Sequence, residues 1–160
     1  MDAVSFLGYF ERPVSFLSKI EVKKYPIIGK IVTGLDGVFM DRSNMRQEIK
    51  SIRRVTELLE NNPERSFIIF PEGTRTKDKD YKIGEFKGGT FKIALKSHCP
   101  IVPVAMIDCY QVFDNNTIKP VKAQIHYLKP IEYDEYKDLK TPEIAALVQS
   151  RIQACMDEYC

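Results

Sequence analysis

The sequence predicts an α/β fold, a single domain with a mostly parallel central sheet flanked by helices. Strand-like and helix-like segments alternate along the chain, as they do where crossover helices join parallel strands. Residues 66–70, Ser-Phe-Ile-Ile-Phe, are apolar without alternation, the pattern of a strand covered on both faces. A length of 160 residues with a 44% apolar share suits one core rather than two. No internal repeat, low-complexity stretch or linker divides the chain, so residues 1–160 read as one domain.

The elements follow in order. Residues 14–18 form a short apolar run after Pro13 and read as a strand. Residues 26–32 read as a short helix, with Pro26 near its start and Gly34 near its end. Val38, Phe39 and Met40 make a second buried strand reached through Gly37. Asn44 caps the clearest helix, with Gln47 as its capping-box partner. Met45, Ile49, Ile52, Val55, Leu58 and Leu59 recur there at helical spacing, and Asn61-Asn62-Pro63 stops it. After the strand at 66–70 comes a polar loop up to Lys87. A helix at 89–97, a buried strand at 101–107 and a late strand at 123–128 follow. Thr141 caps a last helix with Pro142 at its first position; its apolar face is Ile144, Leu147, Val148, Ile152 and Cys155.

Composition excludes several classes. Twenty-four Lys and Arg against twenty-two Asp and Glu leave a net charge of +2, too balanced for a nucleic-acid partner to be read from charge. The longest apolar run, residues 99–107, holds nine residues and two prolines, far short of the roughly 20 that span a bilayer. No charged-then-apolar leader opens the chain, so secretion is not indicated. Cys99, Cys109, Cys155 and Cys160 form no C-x-x-C pair, which favours reduced thiols in an intracellular setting. His98, Cys99 and Cys109 match no standard zinc spacing, and His126 reads as an ordinary strand residue, so no metal site is expected.

In parallel sheets, ligands bind where loops leave the carboxyl ends of the strands. Two such loops carry chemistry. One runs through Gly37, Phe39, Asp41 and Arg42; the other is Phe70-Pro71-Glu72-Gly73-Thr74-Arg75, followed by Phe86-Lys87-Gly88-Gly89. Each sets an arginine just past a buried strand, where a guanidinium can take a phosphate bidentately. Gly73 and Gly88-Gly89 allow close backbone approach, Lys87 adds a third cation, and Glu72 can pair with Arg75 or meet a substrate hydroxyl. The blander alternative is that Glu72 caps a turn and that the lysines of residues 76–87, mixed with Asp78, Asp80 and Glu85, are a solvated face.

In this order the motifs resemble the glycerolipid acyltransferases, in particular the 1-acyl-sn-glycerol-3-phosphate (lysophosphatidic acid) acyltransferases. Gly37, Phe39 and Arg42 match the family's G-x-x-F-x-x-R-like second block. Residues 70–75 match its F-P-E-G-T-R block in full, the most specific signal in the chain. Ile101-Val102-Pro103-Val104 resembles the fourth block. The likeness runs to about Ala105. The family's first block is N-H-x-x-x-x-D; Asp2 matches its aspartate, and the histidine falls four residues before Met1. Neither His98 nor His126 matches it, so the chain is expected to begin within that motif and, taken alone, to be inactive or nearly so.

The resemblance implies a glycerol-3-phosphate acyltransferase-like fold and a histidine base, oriented by the aspartate, that deprotonates the acceptor hydroxyl. That hydroxyl attacks the thioester of acyl-coenzyme A or acyl carrier protein. The acceptor is 1-acyl-sn-glycerol-3-phosphate and the product phosphatidic acid, with no metal or other cofactor. Arg42, Arg75 and Lys87 would meet the acceptor phosphate, while Glu72, Gly73 and Thr74 shape its pocket. Gly37 and Phe39 belong to the same substrate side, and the strand of Pro103 to the acyl side. The family also implies a membrane-associated protein on the cytoplasmic side. The aromatic stretch Phe6-Leu7-Gly8-Tyr9-Phe10 is expected in the core rather than against a bilayer. A non-catalytic module that binds lysophospholipid or an acyl carrier is the alternative.

Overall fold

A computed structural model describes residues 14–72, 83–109 and 122–159. Strand β1 (Val14–Lys19) runs into a 3₁₀ turn, Ile20–Lys24, and then helix α1 (Pro26–Gly34). Strand β2 (Val38–Met40), helix α2 (Met45–Asn61) and strand β3 (Ser66–Ile69) follow. β1 is the middle strand of a parallel three-stranded sheet, ordered β2-β1-β3. Its Val14, Phe16 and Leu17 are buried accordingly. The register sets Lys19 beside Met40 and Leu17 beside Ile69, so the exits of β2 and β3 lie at one end of the sheet, on either side of β1.

Helix α2 forms where its apolar period predicts. Asn44 Oδ1 accepts from the N–H groups of Arg46 (3.1 Å) and Gln47 (3.3 Å), which satisfies two of the donors left open at a helix start. Ile52 and Val55 bury against Leu17 and Met40. Ser51 Oγ, also buried, donates to Phe39 O at 3.1 Å and fixes the helix along β2. Met45 and Ile49 of the expected stripe are exposed instead, because they begin the helix beyond the end of the strand they would cover.

The second half of the chain builds another layer. A 3₁₀ turn, Gly88–Phe91, leads into α3 (Lys92–Ser97), which His98 ends in the left-handed conformation. β4 (Val104–Ile107) pairs with β5 (Gln124–Tyr127) in an antiparallel ladder. α4 (Tyr133–Tyr136) and the long α5 (Thr141–Tyr159) complete the chain. α5 buries Ile144, Ala145, Val148, Ile152, Cys155 and Met156 against Phe86, Phe91, Ala105 and Ile131. Tyr136 is wholly buried; its hydroxyl donates toward the carbonyls of Ala94 and Cys99, and burial pushes its pKa well up. Ile93 of α3 joins the parallel-sheet core while Ala94 joins the other, so this short helix links the two.

Several boundaries differ from the sequence expectation. β3 is half-buried rather than covered on both faces, since among the described residues it is an edge strand. The helix expected over residues 89–97 is split between a 3₁₀ turn and α3. The strand expected over 101–107 is a bridge from Ile101 to Ile131 and then β4. Pro103, which has no N–H to give, separates the two, and its carbonyl accepts from Leu128 N–H at 3.0 Å. Thr141 is the first residue of α5 rather than its cap, and Glu143 Oε2 reaches back to Lys140 N–H at 2.6 Å.

Candidate active site at the carboxyl end of the parallel sheet

Arg42 leaves β2 and turns across the end of β1. Its Nη2 donates to Phe70 O, just past β3, at 3.4 Å. Its Nη1 is buried and has no partner among the described residues, nor does any described carboxylate pair with the guanidinium. The neighbouring Asp41 is occupied locally: Oδ1 accepts Ser43 Oγ–H (2.6 Å) and Ser43 N–H (2.9 Å). Those bonds, the hydroxyl's first, hold its pKa below the ordinary carboxylate value. A tight turn thus aims Arg42 inward with one donor edge open.

On the other loop, Glu72 Oε2 accepts Gly84 N–H at 2.9 Å. The carboxylate therefore joins the two ends of the segment that contains Gly73, Thr74 and Arg75. Lys87 N–H donates to Pro71 O at 3.2 Å, a second tie across the same base, and leaves its side chain exposed. Between this base and α5 lies a cleft of about 640 Å³, lined in part by Glu72, Phe86, Lys87, Pro142, Ala146 and Gln149. Gly88 sits where α5 begins; a Cβ there would stand 3.2 Å from the backbone of Thr141 and Pro142.

The sequence-derived residues do not all gather here. Arg42, Glu72 and Lys87 share the carboxyl end of the sheet. Gly37 stands at the amino end of β2, where a Cβ would lie 2.5 Å from Val32 Cγ1 and 2.7 Å from Val32 O. Its part in the described structure is close packing. Phe39 is half-buried within β2, and Pro103 is fully buried beside β4. Asp2, Gly73, Thr74 and Arg75 lie outside the described residues, as does the stretch from Phe6 to Phe10. Neither histidine stands with Arg42, Glu72 and Lys87: His98 rests against Tyr133 and His126 against Tyr159, each with ring centroids 4.3 Å apart. Among the described residues no cluster of His, Cys, Asp and Glu is arranged to hold a metal ion, and Cys99 and Cys155 are free thiols. Gln149, which no motif or period singles out, faces the cleft from α5.

The sequence profile of the Acyltransferase family matches residues 1–107. The chain belongs to the Acyltransferase family. That match takes in both loops, from Asp2 to Pro103, and stops before α5. A 1-acyl-sn-glycerol-3-phosphate acyltransferase of Limnanthes douglasii is 34% identical over 122 residues, covering 75% of this chain and 42% of that protein. A probable 1-acyl-sn-glycerol-3-phosphate acyltransferase of Mycoplasma pneumoniae is 27% identical over 157 residues, covering 92% and 57% respectively. The chain thus spans about half the length of these relatives. The fold is also that of the crystal structure of the 1-acyl-sn-glycerophosphate acyltransferase PlsC from Thermotoga maritima. The TM-score is 0.75 at 23% identity, over 98% of this chain and 61% of that one. The parallel sheet whose carboxyl end carries both loops therefore belongs to an acyltransferase scaffold.

Proposed function

We propose that this chain carries the acceptor-binding machinery of a 1-acyl-sn-glycerol-3-phosphate acyltransferase. The observation that carries the reading is Arg42, a buried guanidinium edge at the carboxyl end of the sheet with no described partner, in the same family block as Gly37 and Phe39. A phosphate dianion there gains charge-assisted hydrogen bonds that no protein group already supplies. On this reading Lys87 and Arg75 add charge from the second loop, and Glu72, Gly73 and Thr74, in the same F-P-E-G-T-R block, are assigned to the acceptor pocket. In the reaction, the acceptor hydroxyl gives its proton to the histidine of the family's first block, which Asp2 orients, and attacks the donor's thioester carbonyl. The C–S bond breaks, and the thiol of coenzyme A or of an acyl carrier protein leaves with the proton. The chemistry calls for no metal or covalent acyl-enzyme; positioning and a general base supply the acceleration.

The same reading sets this end of the sheet against the cytoplasmic surface of a membrane. Ile20, Tyr25, Ile27, Met45, Ile49 and Phe70 are all exposed there, Ile27 at 74% and Met45 at 76%. The exposed cations Lys23, Lys24, Arg46 and Lys50 stand among them, a combination that suits an anionic lipid surface. Among the described residues no helix is long and apolar enough to cross a membrane.

Acceptor binding tests the proposal without requiring turnover. Calorimetry with 1-acyl-sn-glycerol-3-phosphate should show saturable binding. Arg42→Ala and Arg75→Ala should each weaken it about 10- to 100-fold, the loss of a charged hydrogen-bonded contact worth about 1.5–3 kcal/mol. Affinity unchanged in both variants would remove the phosphate assignment.

A further inference from the structure

Residues 83–87 form neither helix nor strand, yet four of their five backbone N–H groups are bound. Glu72 Oε2 takes Gly84 N–H and Pro71 O takes Lys87 N–H, which tie the segment to the F-P-E loop. The other two go to α5. Gln149 Oε1 accepts Phe86 N–H and Gln153 Oε1 accepts Ile83 N–H, both at 3.4 Å. The two glutamines are one helical turn apart and so present themselves on one face. Gln153 is further fixed in orientation. Its Nε2 donates to Asp157 Oδ1 at 2.8 Å, and because a carboxylate only accepts, the amide oxygen must face Ile83. Phe86 is buried in the same core cluster as Ala145 and Val148, so packing also pins the segment at one of its two glutamine bonds.

We propose that Gln149 and Gln153 are positioning residues. α5, which lies outside the stretch matched by the family profile, holds residues 83–87 as a strap, and the strap sets Glu72 and Lys87 at the mouth of the cleft. That Lys87 there meets an anion rests on the function proposed above; the strap itself does not. The arrangement separates two tasks. The motif loops supply charge, and the terminal helix supplies the fixed backbone from which that charge is presented.

The test compares the doubly substituted protein Gln149→Met/Gln153→Met, which keeps side-chain length and loses both acceptors, with Gln153→Glu/Asp157→Asn, which keeps an accepting oxygen at position 153, exchanges donor and carboxylate within the bond to position 157, and leaves the net charge unchanged. Amide hydrogen exchange by NMR reads the strap, and calorimetry with glycerol 3-phosphate reads its consequence. In the methionine protein, exchange at Ile83 and Phe86 should accelerate about tenfold while Phe16 in β1 stays protected. The glycerol 3-phosphate affinity should fall about three- to tenfold, and the Gln153→Glu/Asp157→Asn protein should keep both protection at Ile83 and affinity. Unchanged exchange at Ile83 and Phe86 would overturn the strap. Faster exchange with unchanged affinity would overturn its positioning role. An unsubstituted protein that binds no glycerol 3-phosphate would overturn the functional reading and the positioning role with it, while the exchange result still decides the strap.

Discussion

The two ends of the parallel sheet each carry an arginine with one buried nitrogen that has no described partner, Arg65 Nε and Arg42 Nη1, and the two differ in their counter-charge. At the amino end Arg65, just before β3, donates from Nη1 to Ser15 Oγ (3.2 Å) and pairs through Nη2 with Asp36 Oδ2 (3.1 Å). Ser15 Oγ donates onward to Leu35 O at 2.6 Å, so the segments that lead into β2 and β3 are tied to the start of β1. At the carboxyl end Arg42 has a single 3.4 Å contact with a main-chain carbonyl and no described counter-charge. A guanidinium with a carboxylate partner is neutralised within the fold; one without such a partner favours an incoming anion. On the function proposed above, stability is concentrated at one end of the sheet and acceptor binding at the other.

Substitutions at each end can break that contrast. The largest effect is expected from Gly37→Ala. Its Cβ would meet Val32 Cγ1 at 2.5 Å and Phe16 O at 3.0 Å, contacts that neither β1 nor α1 can relieve without moving. Chemical denaturation should show a loss at the upper end of the about 1–3 kcal/mol typical of overpacking. Ligand affinity in the protein that remains folded should be unaltered; a selective loss of affinity would return Gly37 to the binding site.

Exchanging the roles of the arginines sharpens the comparison. Arg65→Met should cost about 1–3 kcal/mol of stability, because it leaves Ser15 and Asp36 without their donor, and it should spare ligand binding. Arg42→Met should change stability by no more than about 0.5 kcal/mol and abolish most of the affinity. Equal stability losses at both positions would show that the two ends are not divided in this way.

The smallest effect is a titration. Asp41 holds a lowered pKa because Ser43 donates to it, first through its hydroxyl and then through its N–H. A lowered folded pKa means that the turn's contribution is complete above the ordinary 3.8 and is lost as pH falls through the lower folded value. Ser43→Ala should bring the Asp41 titration, followed by carboxyl-carbon NMR, back toward 3.8. An unmoved titration would mean that the turn owes nothing to that hydroxyl.

Local order was legible in the sequence. Asn44 caps α2 as its position predicts, and the apolar period places the buried faces of α2 and α5. The loops of the site were legible too, because Arg42 and Phe70-Pro71-Glu72 follow strand-like runs directly. What escaped depends on distant partners. Residues 66–70 read as doubly covered, and only the strand order shows β3 at an edge. The pairing of β4 with β5 in a separate antiparallel sheet has no periodic signature of its own. The polar stretch before Lys87 read as solvated, yet its amides at Phe86 and Ile83 are taken by side chains 63 and 70 positions later. A single side-chain-to-backbone bond over that distance leaves no pattern in composition or spacing. At Gly37 the residue type alone does not separate the roles, since glycine serves close packing and ligand approach equally.

Arg42 is also a crossbar. β2 and β3 flank β1, so the bond from Arg42 to Phe70 O reaches over two strand spacings, about 10 Å of sheet. Each terminal nitrogen of Arg42 carries two N–H groups, so an anion that takes both nitrogens can leave the bond to Phe70 O in place, and occupancy of the first loop then reinforces a restraint on the second. Thermodynamic linkage makes the effect mutual: whatever factor ligand binding applies to the Phe70 loop, ordering of that loop applies to ligand affinity. One weak hydrogen bond thereby makes the two motif loops a single responsive unit.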